Sequence, residues 1–258
     1  MHQVRLFFIA LQFFTRIPIP AWVGFDAAWL QHASRYFPLV GVVVAAAAAA
    51  VYAVAAHFWA PLVAVLLSTA AGVYLTGAFH EDGLADTCDG FGGGLSRERV
   101  LEIMKDSRIG TYGAVGMGLL VALKCALLAS MPGPAAIAAL FVAHPLSRLA
   151  AVSLIWRMEY ARDQGKAKPM AQAMSGGEFA IAALCALLPA AAAGASGHAA
   201  WAAIGAGALG AALAALWLAA IFRRRIGGYT GDCLGAVQQL AEVMIYLALA
   251  AGWSRAGS

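Results

Sequence analysis

A chain of 258 residues that is 62% hydrophobic and only 12% charged, with a mean hydropathy of +0.78, lies far from the soluble norm of roughly 45–50% apolar and about 25% charged residues. That balance excludes a water-soluble globular domain and a disordered chain, and it points to an integral membrane protein. The formal net charge of +4 sits in short loops between apolar runs, so it reads as topology and attraction to membrane lipid headgroups, with no footprint for nucleic acid.

In chain order, VRLFFIALQFFT (residues 4–15) is apolar for a dozen residues, too few to cross a hydrocarbon core that needs about 20. Arg5, Gln12 and Arg16 fall on one side of a helical wheel, which predicts an interfacial helix stopped by IPIP (residues 17–20). A cleaved signal peptide fits less well, because no small-residue cleavage pattern follows and Pro18 and Pro20 intrude. From Phe37 onward the apolar runs reach spanning length, with spans expected at 37–60, 62–80, 112–131, 134–156, 179–196, 199–222 and 233–251. The Ala-rich run Ala45–Ala50 reads as close helix packing. The predicted fold is therefore all-α: a polytopic membrane helix bundle of about seven transmembrane helices plus the interfacial helix. Residues 1–258 are expected to form a single integral membrane domain.

The breaks near residues 57–61, 131–134 and 196–199 carry no Lys, Arg, Asp or Glu. The alternate breaks hold Arg97, Arg99, Lys105 and Arg108, then Arg157, Arg162, Lys166 and Lys168, then Arg223, Arg224 and Arg225, which is eleven of the 17 basic residues. Short basic loops stay cytoplasmic. Loops 80–111, 157–178 and 223–232 are thus expected to share the cytoplasmic face and build the site there, with the N-terminus inside and the C-terminus outside. Cys88, Cys125, Cys185 and Cys233 show no paired spacing and read as reduced, small apolar side chains.

The sequence is most unusual at HEDGLADTCDGFGGG (residues 80–94), which places Glu81, Asp82, Asp86 and Asp89 within nine residues. Asp82, Asp86 and Asp89 are spaced four and three, so on a continuing helix all three leave one face. Carboxylates held that close repel one another unless a cation neutralises them, and an all-oxygen set suits Mg2+, Mn2+ or Ca2+. The alternative is a solvated acidic helix end. Glu81, about 100 degrees from Asp82, is expected to be peripheral. His80 is expected to be a hydrogen-bonding interfacial side chain, and Cys88 no ligand. GFGGG (residues 90–94) is expected to be a flexible turn, either a plain hairpin or a loop whose amides approach a phosphate, since each Gly costs a helix roughly 1 kcal/mol. Ser96 is a candidate N-cap with Arg99 at N3. Beyond it Lys105, Asp106 and Arg108 gather beside Gly110 and Gly113. Cations for phosphate oxygens facing carboxylates for a metal are the equipment of phosphoryl transfer.

These residues also carry a family resemblance. GAFHEDGLADTCDG (residues 77–90) followed by RVLEIMKDSRIGTYG (residues 99–113) resembles the signature of the cobalamin synthase family, the adenosylcobinamide-GDP ribazoletransferases. FFTRIPIP (13–20), RYFPLVG (35–41), YARDQGKA (160–167) and GGYTGDCLGA (227–236) are similar to further family segments in the same order. The resemblance implies a multi-pass enzyme of the bacterial inner membrane that uses Mg2+, joins adenosylcobinamide-GDP to alpha-ribazole or its 5'-phosphate, and releases GMP. On this reading Asp82, Asp86 and Asp89 hold the metal. Asp106 is a further ligand or the base, while Lys105 and Arg108 hold phosphate oxygens. The Asp86–Gly90 segment also resembles CDP-alcohol phosphotransferases, but the rest of that pattern is missing.

Four further features bear on the site, and three of them are open to two readings. Arg148, inside the fourth span, suits either a substrate phosphate or an internal ion pair, and Lys124 is expected to pair with Glu242. Asp232 is either the N-cap of the last helix or a site residue. Arg162, with Asp163 and Lys166, is either a nucleotide clamp or a solvated loop. A transporter is the competing class, and against it stand the absence of an internal repeat and the gathering of acids at one face. An oligomer is compatible with the sequence.

Overall fold

The computed structural model describes residues 1–24, 26–161 and 174–256, and these are helical throughout apart from short connections and one isolated bridge between Tyr160 and Tyr229. Helix α1 (His2–Phe14) buries Leu6, Ala10 and Phe14 toward α2 (Ala27–Ala33) and α3 (Phe37–Ala55), with the Phe14 and Phe37 rings 4.4 Å apart. Gln12 and Arg16 are exposed as the wheel predicts. Arg5 instead tucks its guanidinium over the Trp29 ring at 5.5 Å, because α2 folds back over that face.

Helix α4 (Pro61–Thr76) begins on a proline, whose missing N–H is no loss in a first turn. The span expected at 62–80 ends early. Gly77 and Ala78 both take left-handed backbone (φ +66° and +58°), and their amides return to the carbonyls of Tyr74 and Val73. The Arg16 amide donates to Leu75 O at 2.9 Å, so the segment just after α1 helps close the end of α4. The chain then leaves at 87° as α5 (Phe79–Gly93).

The expected turn at Gly90–Gly94 is corrected, since α5 stays helical to Gly93. The glycines serve packing. A Cβ on Gly90 would sit 2.4 Å from Met104 Cγ, and one on Gly92 would sit 2.6 Å from the Tyr112 ring. Bare backbone lets α5 lie against α6 (Arg97–Ile103) and the start of α7 (Thr111–Ala129), and that contact offsets the poor helix propensity. As expected, Ser96 caps α6 by accepting from Arg99 N at 3.2 Å.

Helices α8 (Gly133–Arg157), α9 (Gly176–Ala195), α10 (Trp201–Ile226) and α11 (Gly231–Ala256) complete the bundle. Among the described residues, six helical segments are long and apolar enough to cross a membrane: Trp29–Ala55 and α7 to α11. With α4 and α5 counted as one broken span they make seven. The chain is an all-α, multi-pass membrane bundle. Helix α11 is its axis, packed on α5, α8 and α10, while α3 lies along α8. Ala45, Ala48 and Ala49 are buried, and Gly41 meets α8 so closely that a Cβ there would lie 2.7 Å from His144 O. The Ala-rich run is thus close packing, as its composition suggested.

Candidate active site

Helix α5 carries Asp82, Asp86 and Asp89 along one face, as their spacing predicts, and runs between α7 and α11. Its crossing with α11 is backbone to backbone. A Cβ on Gly83 would lie 2.9 Å from Asp232 O, and one on Gly235 would lie 3.0 Å from His80 O. This crossing brings Asp232 beside the turn that holds Asp82 and Asp86. Asp232 is not the N-cap of α11: the helix starts one residue earlier, and Thr230 Oγ1 takes the capping position, accepting from Cys233 N at 3.4 Å.

The three aspartates differ in surroundings. Asp82 is exposed and Asp86 half-buried. Asp89 is tied to the start of α7, accepting from Gly110 N at 2.7 Å and Gly113 N at 2.8 Å. Its carboxylate caps a helix from another segment, where the amides and the helix dipole both favour negative charge. Gly110 and Gly113 make room for it, since a Cβ on either would fall 2.4 Å from an Asp89 oxygen. Among the described residues no three His, Cys, Asp or Glu side chains close into a metal cage. Mg2+ does not require one, being usually held by one or two carboxylates together with water and substrate phosphates. Asp82 and Asp86, one turn apart on the open face, fit that requirement.

Lys105, Asp106 and Arg108 lie exposed in the loop that leads into Gly110. Arg108 grips Asp106 with Nη2 at 2.7 Å and Nε at 3.0 and 3.2 Å, and its amide adds a fourth bond at 3.1 Å. Those Arg108 bonds hold the Asp106 carboxyl down at about 2. So strongly stabilised a carboxylate is a poor proton acceptor near neutral pH.

The three charged breaks meet at one end of the bundle, as expected. Arg97 donates to Ile226 O and Ala161 O, both at 3.0 Å, and Arg225 Nη2 donates to Gly94 O at 2.5 Å. Tyr229 N to Glu159 O (3.1 Å) and Ala161 N to Tyr229 O (2.8 Å) join the other two. Arg97 and Arg225 are therefore braces between loops. Arg162, Asp163 and Lys166 lie outside the described residues.

The opposite face of α5 looks into a buried polar layer. Lys124 pairs with Glu242 at 2.8 Å, as expected, and Glu242 also accepts from Gln238 Nε2 (2.7 Å) and Tyr246 OH (3.0 Å). Gln238 donates to Ser147 Oγ as well, at 3.0 Å. Arg148 donates to His144 O at 2.9 Å and sits 3.3 Å from His144 Nδ1, so its bonds stay inside the bundle. Glu81 is not peripheral. It is buried, accepts from Gln239 Nε2 at 2.8 Å, and lines a cavity of about 20 Å3, room for one water, together with Arg148, Lys124 and Glu242. His80 is buried too, stacked on Phe14 at 5.5 Å. Gln238, Gln239 and Tyr246 escaped the sequence reading. Their signal was Gln238, Gln239, Glu242 and Tyr246 along one apolar span, where polar side chains must find partners.

Fold and site together define a multi-pass membrane protein whose acid-lined helix α5 lies beside a loop carrying Lys105 and Arg108. The chain belongs to the cobalamin-5-phosphate synthase family, whose profile matches residues 6–250. It is 50% identical over 257 residues to the adenosylcobinamide-GDP ribazoletransferase of Leptothrix cholodnii, covering 98% of this chain and 97% of the relative. The proteins of the same name from Ralstonia nicotianae (49% over 252 residues, 96% and 95% covered) and Shewanella frigidimarina (45% over 261 residues, 97% and 96% covered) are comparably similar. No solved structure gives a significant match.

Proposed function

We propose that the chain is a transferase of cobamide biosynthesis that joins adenosylcobinamide-GDP to alpha-ribazole or its 5'-phosphate and releases GMP. The observation that carries this is the family match over residues 6–250, with relatives of nearly equal length that bear the activity in their names. In the reaction a ribose hydroxyl of the ribazole attacks the phosphorus bearing the cobinamide arm. The new P–O bond forms as the bond to the GMP oxygen breaks, and the hydroxyl proton is released.

Asp82 and Asp86 would hold Mg2+ from the open face of α5, and Asp89 would offer the lone pairs its two amide donors leave. Bound there, the ion would supply charge neutralisation for the diphosphate and for the departing phosphate. Lys105 and Arg108 bind phosphate oxygens, and Asp106 orients Arg108 rather than acting as the base. Asp232 borders the same helix face, while the hydrogen bonds of Arg148 stay inside the bundle. The site opens to the cytoplasm from the inner membrane, a placement supported by the arginines gathered at that end.

The test is GMP release by purified protein in liposomes given adenosylcobinamide-GDP, alpha-ribazole and Mg2+. Release should fall by at least about 100-fold in Asp82→Asn and Asp86→Asn, the scale of losing a charge-stabilising group. Undiminished release by both variants sinks the metal assignment, and no release from folded wild type sinks the activity. Labelling of a Ser107→Cys variant from the cytoplasmic side checks the orientation.

A further inference from the structure

Helix α9 packs along α8 but barely touches α10, and the three enclose a groove of about 410 Å3. Its walls are apolar, with Leu146 on α8, Leu187 on α9 and Ala208, Ala212 and Leu216 on α10. Leu187 and Leu216 are 52% and 68% exposed, so the groove opens outward where acyl chains lie. Arg157 and Arg223 border it at the basic end of the bundle, and no ion pair engages either of them among the described residues. Arg157 lies 3.7 Å over the Trp156 ring, which itself stacks on Phe179 of the groove at 4.3 Å, a cation and an aromatic pair of the kind that marks the headgroup level. From Arg157 to Leu146 is eleven residues, about 16 Å, and from Arg223 to Ala208 fifteen residues, about 22 Å. One leaflet of a hydrocarbon core is about 15 Å deep.

We propose that this groove is a binding site for one anionic phospholipid, its phosphate between Arg157 and Arg223 and an acyl chain along Ala208–Ala219. Charge complementarity selects the occupant: a zwitterionic lipid fills the same apolar wall but gains less from two guanidinium groups that no ion pair engages among the described residues. The proposal rests on the membrane bundle alone and is independent of the reaction proposed above.

The test is native mass spectrometry of the full chain released from mild detergent after equilibration with equal amounts of phosphatidylglycerol and phosphatidylcholine. An arginine beside an anionic headgroup favours it about fivefold, so the pair should favour phosphatidylglycerol about thirtyfold. Arg157→Gln with Arg223→Gln should bring the preference close to one. Arg157→Lys with Arg223→Lys should keep most of it, and Ala212→Phe, which fills the groove, should lower retention of both lipids. Equal retention of the two lipids by wild type, an undiminished preference in the double Gln variant, or a lipid-free dimer that covers the groove overturns the proposal.

Discussion

Replacing Lys124 with Met removes the cation 2.8 Å from Glu242 and leaves a carboxylate only 1% exposed at the middle of the bundle. Gln238 and Tyr246 still donate to it at 2.7 and 3.0 Å, and His144 Nδ1 stands 3.8 Å away, but the remaining cation of that cavity, Arg148, is bonded to His144 O and does not replace the direct ion pair. Breaking a buried pair from one side costs about 3–5 kcal/mol, and in a chain of this size each kcal/mol moves Tm by about 2–4 °C, so the midpoint should fall by about 6–20 °C. Removing both charges is different in kind. In Lys124→Met with Glu242→Gln, the new amide keeps an acceptor for Tyr246, and the unpartnered Gln238 Oε1 can accept from its NH2. The double variant should therefore melt within about 4 °C of wild type. The assay is tryptophan fluorescence melting in detergent on all four members of the cycle. A Lys124→Met protein as stable as wild type, or a double variant as unstable as the sum of the singles, refutes the view that an uncompensated charge dominates.

Three further outcomes follow from the site. Gly83→Ala pushes a Cβ to 2.9 Å from Asp232 O, a backbone atom that cannot swing away, and should cost about 1–3 kcal/mol with loss of activity, read by melting and GMP release. Asp89→Ala orphans the Gly110 and Gly113 amides at the start of α7 and should cost about 2–4 kcal/mol even without Mg2+, whereas Asp82→Ala, at an exposed side chain with no hydrogen bond or ion pair among the described residues, should leave metal-free melting within about 0.5 kcal/mol. Asp106 has a carboxyl lowered to about 2, so the stability its pairing with Arg108 supplies is complete above the ordinary value of 3.8 and is lost only as pH falls through about 2. Between pH 5 and 9 the pair does not titrate, and Asp106→Asn should change the level of kcat/KM without moving its acid limb; a vanished limb would restore Asp106 as the base.

The spans were legible in the sequence because uninterrupted apolar runs have few alternatives in lipid. The Lys124–Glu242 pair was legible for the same reason, since two lone charges in oil must meet. The end of α4 was hidden, because a single Gly77 inside an apolar run stops a helix only where the fold supplies a partner, here the Arg16 amide. Gly90–Gly94 misled in the opposite direction: propensity counts the entropy of glycine but not the Met104 and Tyr112 side chains that need its missing Cβ. At the site, spacing put Asp82, Asp86 and Asp89 on one face. It did not reveal that Asp89 answers to Gly110 and Gly113, more than twenty residues away, or that Glu81 turns inward to Gln239. Long-range partners of a polar side chain have no local signature.

The 87° corner at Gly77–Ala78 has a consequence for how a ligand meets the acids. Asp82 and Asp89 are seven residues apart, about 10 Å along a helix. Had α4 continued straight, that distance would be travelled along the axis of α4, and the carboxylates would descend like rungs. Turned almost square, α5 advances less than about 1 Å along that axis over the same seven residues. The acids form a level shelf. On the reaction proposed above, a bulky corrinoid would meet this row from the side and would not have to thread its diphosphate down a shaft between helices.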